Sequence, residues 1–278
     1  RTEAEKTLRE VLAYRAWFDQ RRGWRYTNPN LEQLGLLQVE YQGLEELAAA
    51  DARFADGPEI LAQAPPAVRA EVYRVLFDHL RTWMAVKSAV LDELSTEQLY
   101  QRSVSRLRTP WGFAPDDRPR PGRWLVLQAP KRKAVRAKDE DLIVRGGARS
   151  GLGKRLRSER LWGTPAIRAL KTAEVDALIG KLLAVATKFG LVTEETTPFD
   201  TPGWKLVDAA VLFKGRAIHR AQFAAERGAR KENRFYRALY LALADLLAGR
   251  DHPLFGFEAR EHTAQVEQIG RASCRERV

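Results

Sequence analysis

The sequence predicts a mainly α fold with a small β component, and three observations support this prediction. Long stretches of the chain repeat apolar residues every three or four positions, which is the spacing of one helical face. Only short runs, such as 124–128 and 142–144, have the composition of strands. Hydrophobic residues make up 45% of the 278 residues, enough for a packed core in one large or two smaller domains.

The first third of the chain is predicted to be helical. Residues 4–21 place their apolar side chains close to one helical face, and residues 31–51 resume the same periodicity. Between these two stretches, Pro29 and two asparagines favour a turn at 26–30.

The longest predicted helix covers residues 67–94. Its apolar stripe includes His79 and Trp83, and its aromatic residues are expected in the core. Ser95-Thr-Glu-Gln98 fits a capping box, in which the first and fourth side chains bind each other's backbone N–H groups. It predicts the start of another helix, which runs to about Arg108.

The remaining chain alternates loops, short strands and helices. Pro-rich residues 109–122 are predicted to form a loop, and 150–160 a basic helix. Thr172 can cap a strong helix over 173–189 that Gly190 ends. The later predicted elements are two strands (Trp204–Val207 and Ala210–Phe213), a helix (Arg234–Leu247) and a last strand (Leu254–Ala259).

The positive charge of the chain is concentrated in one segment. The formal net charge is +11, and residues 118–160 hold 14 basic residues against four acidic ones. Such a segment suits phosphate contacts, because cations that neutralise a nucleic-acid backbone release its condensed counterions. A charge run is more often a solvated face, so the charge leaves both readings open.

The last ten residues, 269–278, are expected to be a translated sequencing adapter. Back-translation of Ile-Gly-Arg-Ala-Ser-Cys-Arg-Glu-Arg-Val resembles a common short-read adapter in one frame, and such segments are set aside before fold reasoning. They hold Cys274, the only cysteine, so the rest of the chain offers no disulfide, thiol nucleophile or cysteine zinc site. Because the chain begins with Arg1, it is expected to be an interior piece of a longer gene product.

The order helix, helix, long helix, strand, loop, strand between Ser150 and Arg216 resembles a winged-helix domain, whose last hairpin is the wing. The wing would then carry Lys205, Lys214 and Arg216. The long helix lacks the Arg, Asn and Gln cluster that reads base edges, so it is a poor candidate for sequence-specific readout.

Two other segments resemble nucleotide-binding motifs but do not match them. Residues 145–155 are glycine-rich, but Ala148 stands at the first glycine of a phosphate loop and Arg155 replaces its Ser/Thr. We therefore expect a flexible basic loop that enters a helix. Lys138-Asp-Glu-Asp141 is not the acidic box of a helicase first lobe, and the four histidines show no metal spacing.

Phe257-Glu-Ala-Arg-Glu-His-Thr-Ala-Gln-Val266 is the most specific string in the chain. It resembles a stretch that opens the second RecA-like lobe of very large bacterial DEAD/DEAH-box helicases of superfamily 2. Tyr26-Thr-Asn-Pro-Asn-Leu-Glu-Gln-Leu34 and the helical region through Trp111-Gly-Phe113 resemble the segment between the two lobes of those proteins. The resemblance covers most of residues 1–268.

This resemblance implies an interlobe fragment of a cytoplasmic, ATP-dependent DNA helicase or translocase. The ATP and Mg²⁺ sites would lie outside this chain, so no ATPase activity is expected from it. The implied regions are a helical insertion (1–117), a basic winged-helix-like domain (118–217), connecting helices (218–250), the first strand of a truncated RecA-like lobe (251–268) and the adapter (269–278). The alternative is a stand-alone winged-helix DNA-binding or scaffold module.

DNA is the expected partner, and no residue is assigned to catalysis, a metal or a cofactor. No apolar run approaches the roughly 18 residues of a membrane span. The candidate nucleic-acid contacts come from the basic segment and the wing: Lys131, Arg132, Lys133, Arg136, Arg149, Lys154, Arg155, Arg157, Lys205, Lys214 and Arg216. The resemblance adds Arg260, Glu261, His262, Thr263 and Gln265, which either fix the end of a lobe strand or contact nucleic acid or the other lobe.

Overall fold

The computed structural model describes residues 2–21, 29–130, 141–216 and 232–249. It is about 52% helical and 13% strand, which confirms a mainly α fold with a small β component. The chain divides into two compact units, 1–233 and 234–278. In the second unit the described residues form the helix Arg234–Leu247, with the bounds that the sequence predicts. The predicted strand Leu254–Ala259 lies outside the described residues.

Local chemistry explains where the longer helices of the first unit begin and end. Helix α1 (Glu3–Asp19) begins at Thr2, whose hydroxyl accepts a hydrogen bond from the Glu5 N–H at 3.3 Å. Helix α4 (Pro66–Thr82) begins with a proline, whose missing N–H costs nothing in the first turn. The shorter helices are α2 (Leu44–Ala48), α3 (Glu59–Ala62), α6 (Gly151–Leu156), α7 (Glu159–Trp162) and α8 (Ala166–Ala169).

Helix α9 (Thr172–Lys188) covers nearly the predicted range, but its N-cap is Lys171, so the prediction that Thr172 caps it is wrong. It ends at Gly190, which adopts a φ of 70° and so takes up the left-handed conformation that glycine tolerates best. The predicted apolar stripe is confirmed, since all six of its members are fully buried: Val175, Leu178, Ile179, Leu182, Leu183 and Ala186.

The predicted helix over 31–51 is wrong. Strand β1 (Leu37–Tyr41) occupies its centre, and only α2 near its end is helical. Strand β1 pairs antiparallel with β7 (Val211–Gly215), in a register that joins Leu37 to Gly215 and Tyr41 to Val211. Its partner lies far along the chain, so the local apolar spacing could not reveal the pairing.

The longest helix is shorter than predicted. Helix α4 stops at Thr82 instead of Leu94, because Met84 adopts a φ of 58° and the Ala85 N–H bonds the Leu80 carbonyl at 2.8 Å. These two features turn the chain out of the helix.

A short strand and a different cap follow this turn. Strand β2 (Val86–Lys87) comes first, and helix α5 (Glu93–Arg106) begins after it. The N-cap of α5 is Asp92, whose carboxylate accepts from the Ser95 N–H at 3.3 Å. The predicted capping box at 95–98 is therefore wrong and lies inside the first turns of the helix.

The main sheet is built around β6 (Pro202–Val207). Strand β5 (Val192–Thr196) pairs antiparallel with β6 and forms a hairpin with it. Strand β3 (Trp124–Val126) also pairs antiparallel with β6, whereas β2 pairs parallel with it. Strand β4 (Ile143–Arg145) runs parallel to β3. Strand β7 is not part of this sheet and pairs with β1 in a separate two-stranded sheet.

One hydrophobic core connects these elements. It runs from Val11 in α1 through α4 and α9 to Ala210. Residues of the predicted regions 1–117 and 118–217 therefore share this core. Full burial of each large aliphatic side chain contributes about 1.5–3 kcal/mol. The sheet, α4 and α9 therefore give the surface segments a rigid support.

A buried ionic cluster fixes the carboxyl end of α4 to its neighbours. Arg81 is 0% exposed, and its Nη2 contacts the carboxylates of Glu32 and Asp78 at 2.9 and 2.8 Å. Its other N–H groups donate to the Tyr41 hydroxyl and to the Gln20 amide oxygen. Removing one partner of such a buried pair costs about 3–5 kcal/mol, so the cluster holds this end of the helix in place.

Candidate nucleic-acid interface

The glycine-rich segment 145–155 is a packed junction between β4 and α6. A Cβ on Gly146 would lie 2.8 Å from the Leu125 side chain, and one on Gly147 would lie 2.9 Å from the Leu127 carbonyl oxygen. A Cβ on Gly153 would overlap the backbone of Ala148. These approaches require glycine, so the prediction of a flexible loop is wrong.

Helix α6 presents its cations outwards from this junction. Ser150 caps the helix, since its hydroxyl accepts from the Gly153 N–H at 3.1 Å. Leu152 is fully buried, as is Leu156 one turn later, so this side of the helix faces the core. Lys154 and Arg155 lie between these two leucines and are exposed.

Five cations around α6 share two properties. They are exposed, and their side chains make no hydrogen bond or ion pair within the part of the chain that the structure describes: Arg145, Arg149, Lys154, Arg155 and Arg160. We call them the α6 cations. Arg157 differs from them, because it is half-buried and its guanidinium donates to the Leu170 carbonyl. It therefore secures the chain before α9.

Other arginines of the first unit are paired with carboxylates. Arg9 contacts Glu5 at 3.0 Å, and Arg102 contacts Glu10 at 2.6 Å. Arg106 contacts the carboxylate of Glu3 at 2.9 Å. The α6 cations thus form a surface with an uncompensated positive charge in a fold that elsewhere balances many of its arginines.

The exposed face of α9 offers little to read a base. Its Asp176 accepts from the Ala148 N–H at 2.6 Å, and its Lys181 pairs with Asp56. Its Glu174 accepts from the Lys171 N–H. These polar side chains join α9 to its own surroundings.

The β5–β6 hairpin is acidic on the outside. Glu194 and Asp200 are exposed, while Lys205 is only 9% exposed, with its Nζ 3.8 Å from the centroid of the Trp124 ring. Burial lowers the pKa of Lys205, although the neighbouring Glu195 carboxylate opposes this effect. The hairpin therefore does not offer Lys205 to a phosphate.

Glu195 itself belongs to a small charge network on the hairpin. Partial burial raises the pKa of its carboxyl, but the hydrogen bond from Lys87 at 2.6 Å and the charge of Lys205 outweigh burial. The net pKa of Glu195 lies below its ordinary value, so it stays ionised and compensates both lysines.

Lys214 and Arg216 do not belong to this hairpin. Lys214 lies on β7, in the other sheet, and contacts the Glu40 carboxylate at 2.5 Å. The Arg216 N–H bonds the Leu36 carbonyl at 2.9 Å, and its guanidinium lies 4.0 Å from Glu232. The expectation that one wing carries Lys205, Lys214 and Arg216 is corrected by this topology.

The other predicted site residues lie outside the described residues. They are Lys131, Arg132, Lys133 and Arg136 of the basic segment, and Arg260, Glu261, His262, Thr263 and Gln265 of the helicase-like string.

The exposure of one aromatic residue was not predicted from the sequence. Trp83 was expected in the core with His79, but it is 44% exposed, whereas His79 is 2% exposed. Helix α4 ends beside it, so a residue on the apolar stripe emerges at the surface. The exposure of Trp83 could have been predicted only from the position at which α4 ends. That position depends on the left-handed conformation of Met84.

No known protein guides the assignment of this surface. The chain matches no protein-family model, no curated protein and no solved structure. Among the described residues, no group of three His, Cys, Asp or Glu side chains could hold a metal ion. The same residues contain no helix that is long and apolar enough to span a membrane.

Proposed function

We propose that this chain binds the phosphate backbone of a nucleic acid through the α6 cations. The observation that supports the proposal is that these cations are exposed and lack partners within the described residues, on a rigid base. Cations already paired with carboxylates gain little from a phosphate, whereas unpaired ones gain from Coulomb attraction and from counterion release.

We also propose that residues 150–207 form a winged-helix-like arrangement. Its support is the order of elements, from the short helices α6 to α8 through α9 to the β5–β6 hairpin. In this proposal the α6 face contacts phosphates, and both α9 and the acidic hairpin have structural roles.

The parent activity that fits best is that of an ATP-dependent DNA helicase or translocase, in which this piece would grip the strand while other parts of the protein bind ATP and Mg²⁺. The support is the sequence resemblance at 257–266 and between 26 and 113. A stand-alone nucleic-acid-binding or scaffold module is the second candidate. It is favoured because polar side chains of α9 bind other residues of this chain, as the side chains of a scaffold do.

The salt dependence of binding tests the proposal. Wild-type chain should bind a fluorescein-labelled 20-base-pair duplex with an affinity that falls steeply with salt, measured by anisotropy. The double variant Lys154→Ala/Arg155→Ala should reduce the slope of log K against log salt by up to about 1.8, because each lost phosphate contact removes about 0.9.

The matched control is Lys214→Ala/Arg216→Ala, another pair of nearby cations, each of which faces a carboxylate. Its slope should equal that of the wild type. An unchanged slope in the α6 double variant, together with a reduced slope in the control, would contradict the proposal.

A further inference from the structure

Trp83 is an exposed aromatic residue at the C-cap of α4. Its backbone is held, because its N–H bonds the His79 carbonyl at 3.1 Å, while 44% of the residue remains exposed. Single exposed hydrophobic residues are ordinary on protein surfaces, so exposure alone assigns nothing. The groups around the indole ring indicate what kind of ligand it could bind.

A fixed cation supports the ring on one side. The Arg123 guanidinium carbon lies 5.8 Å from the centroid of the Trp83 ring, a distance at which the ring quadrupole attracts it. Arg123 is only 8% exposed and contacts Asp141 at 3.5 Å. Asp141 also pairs with the exposed Arg120 at 2.7 Å. Arg123, itself fixed by burial and by Asp141, therefore places a cation against the indole ring.

Helix α4 packs against α6, the helix that carries Lys154 and Arg155. The His79 and Trp83 rings are 6.0 Å apart and lie four residues apart on one face of α4. Burial, and after it the charge of Arg155, lowers the pKa of His79. Trp83 is thus one helical turn from His79, on the helix that packs against α6.

We propose that Trp83 is a stacking site for an unpaired base of single-stranded nucleic acid whose phosphates lie on the α6 cations. This inference rests on the proposed function of the α6 surface. Surfaces that bind single strands combine a cationic path with aromatic rings, and every base has a π face, so such stacking tolerates any sequence. A duplex keeps its bases stacked inside, so Trp83 contributes to single-strand binding alone.

The test compares single and double strands on the full 278-residue chain. We expect Trp83→Ala to weaken binding of a labelled 20-nucleotide oligothymidine about fivefold or more, and to leave binding of the 20-base-pair duplex unchanged. The salt slope for the single strand should stay at its wild-type value, because an indole contacts no counterion-binding phosphate. Trp83→Phe, which keeps a stacking ring, should recover most of the affinity.

The matched control is Trp111→Ala, which removes another exposed tryptophan, one that is 57% exposed. It should leave both affinities unchanged. Equal single-strand affinities for Trp83→Ala and Trp111→Ala, or an equal loss on single strand and duplex, would overturn the stacking role and leave the phosphate proposal standing. Wild-type chain that binds neither nucleic acid at low salt would overturn the proposed function itself.

Discussion

At the scale of single residues, His79 is a histidine that the fold keeps neutral. Both of its ring nitrogens are buried and lack a hydrogen-bond partner within the described part of the chain. Burial lowers its pKa from 6.5 to about 4, and the charge of Arg155 acts in the same direction. The unfolded chain therefore binds this proton more readily than the folded one does.

This difference predicts a pH dependence of stability. A depressed histidine pKa gives stability that is complete above about 6.5 and is lost as pH falls towards 4, because protonation favours the unfolded state. Between pH 7 and pH 4.5 the loss should be about 2 kcal/mol smaller in His79→Leu than in the wild type, from urea unfolding at each pH. Parallel curves for the two proteins would show that His79 does not titrate in this way.

Residue types were easier to predict than their exposure. The sequence identifies Lys205, Arg157 and Trp83 as cationic or aromatic, but the fold decides which of them solvent can reach. Lys205 packs on Trp124, and Arg157 bonds a carbonyl, so neither is free for a phosphate. Both contacts join residues from different elements, which local composition cannot show.

At the scale of elements, the junction of 145–155 depends on close backbone approach. Gly151 and Gly153 both lie in α6, but a Cβ on Gly151 would meet nothing within 4 Å, whereas one on Gly153 would overlap Ala148. Alanine substitutions at these two positions therefore distinguish the effect of helix propensity on stability from the effect of packing at the junction.

We expect Gly153→Ala to destabilise the chain by about 1–3 kcal/mol, because the backbone of Ala148 has to move. Gly151→Ala, the matched control, should be neutral or should stabilise the chain by up to about 1 kcal/mol, since alanine loses less entropy in a helix. Urea unfolding of both variants measures the difference. Equal free energies of unfolding for the two variants would show that the junction accommodates a Cβ at position 153 without loss of stability.

Elements set by local periodicity were predicted well, and those set by distant partners were not. Helix α9 carries its apolar stripe and terminal glycine within its own sequence. Strand β1 exists because β7 pairs with it, and the end of α4 depends on the left-handed Met84. The strands at 204–207 and 210–213 were predicted, but their partners were not: β6 pairs with β5, and β7 pairs with the distant β1.

At the scale of the whole molecule, the sequence predicted where charge accumulates but not which charges are compensated. The segment 118–160 is basic in composition, yet Arg120 and Arg123 both face Asp141. The exposed Lys154 and Arg155 have no such partner within the described residues. The proposed nucleic-acid surface is therefore narrower than the basic segment and does not include the hairpin.

Lysine acetylation footprinting, read by mass spectrometry with and without a saturating 20-nucleotide single strand at low salt, determines whether nucleic acid covers the α6 cations. Bound nucleic acid is expected to slow acetylation of Lys154 several-fold. Lys87 beside the hairpin and Lys214 on β7 are both exposed and should keep their rates. Protection of Lys87 or Lys214 while Lys154 reacts at its free rate would contradict the account.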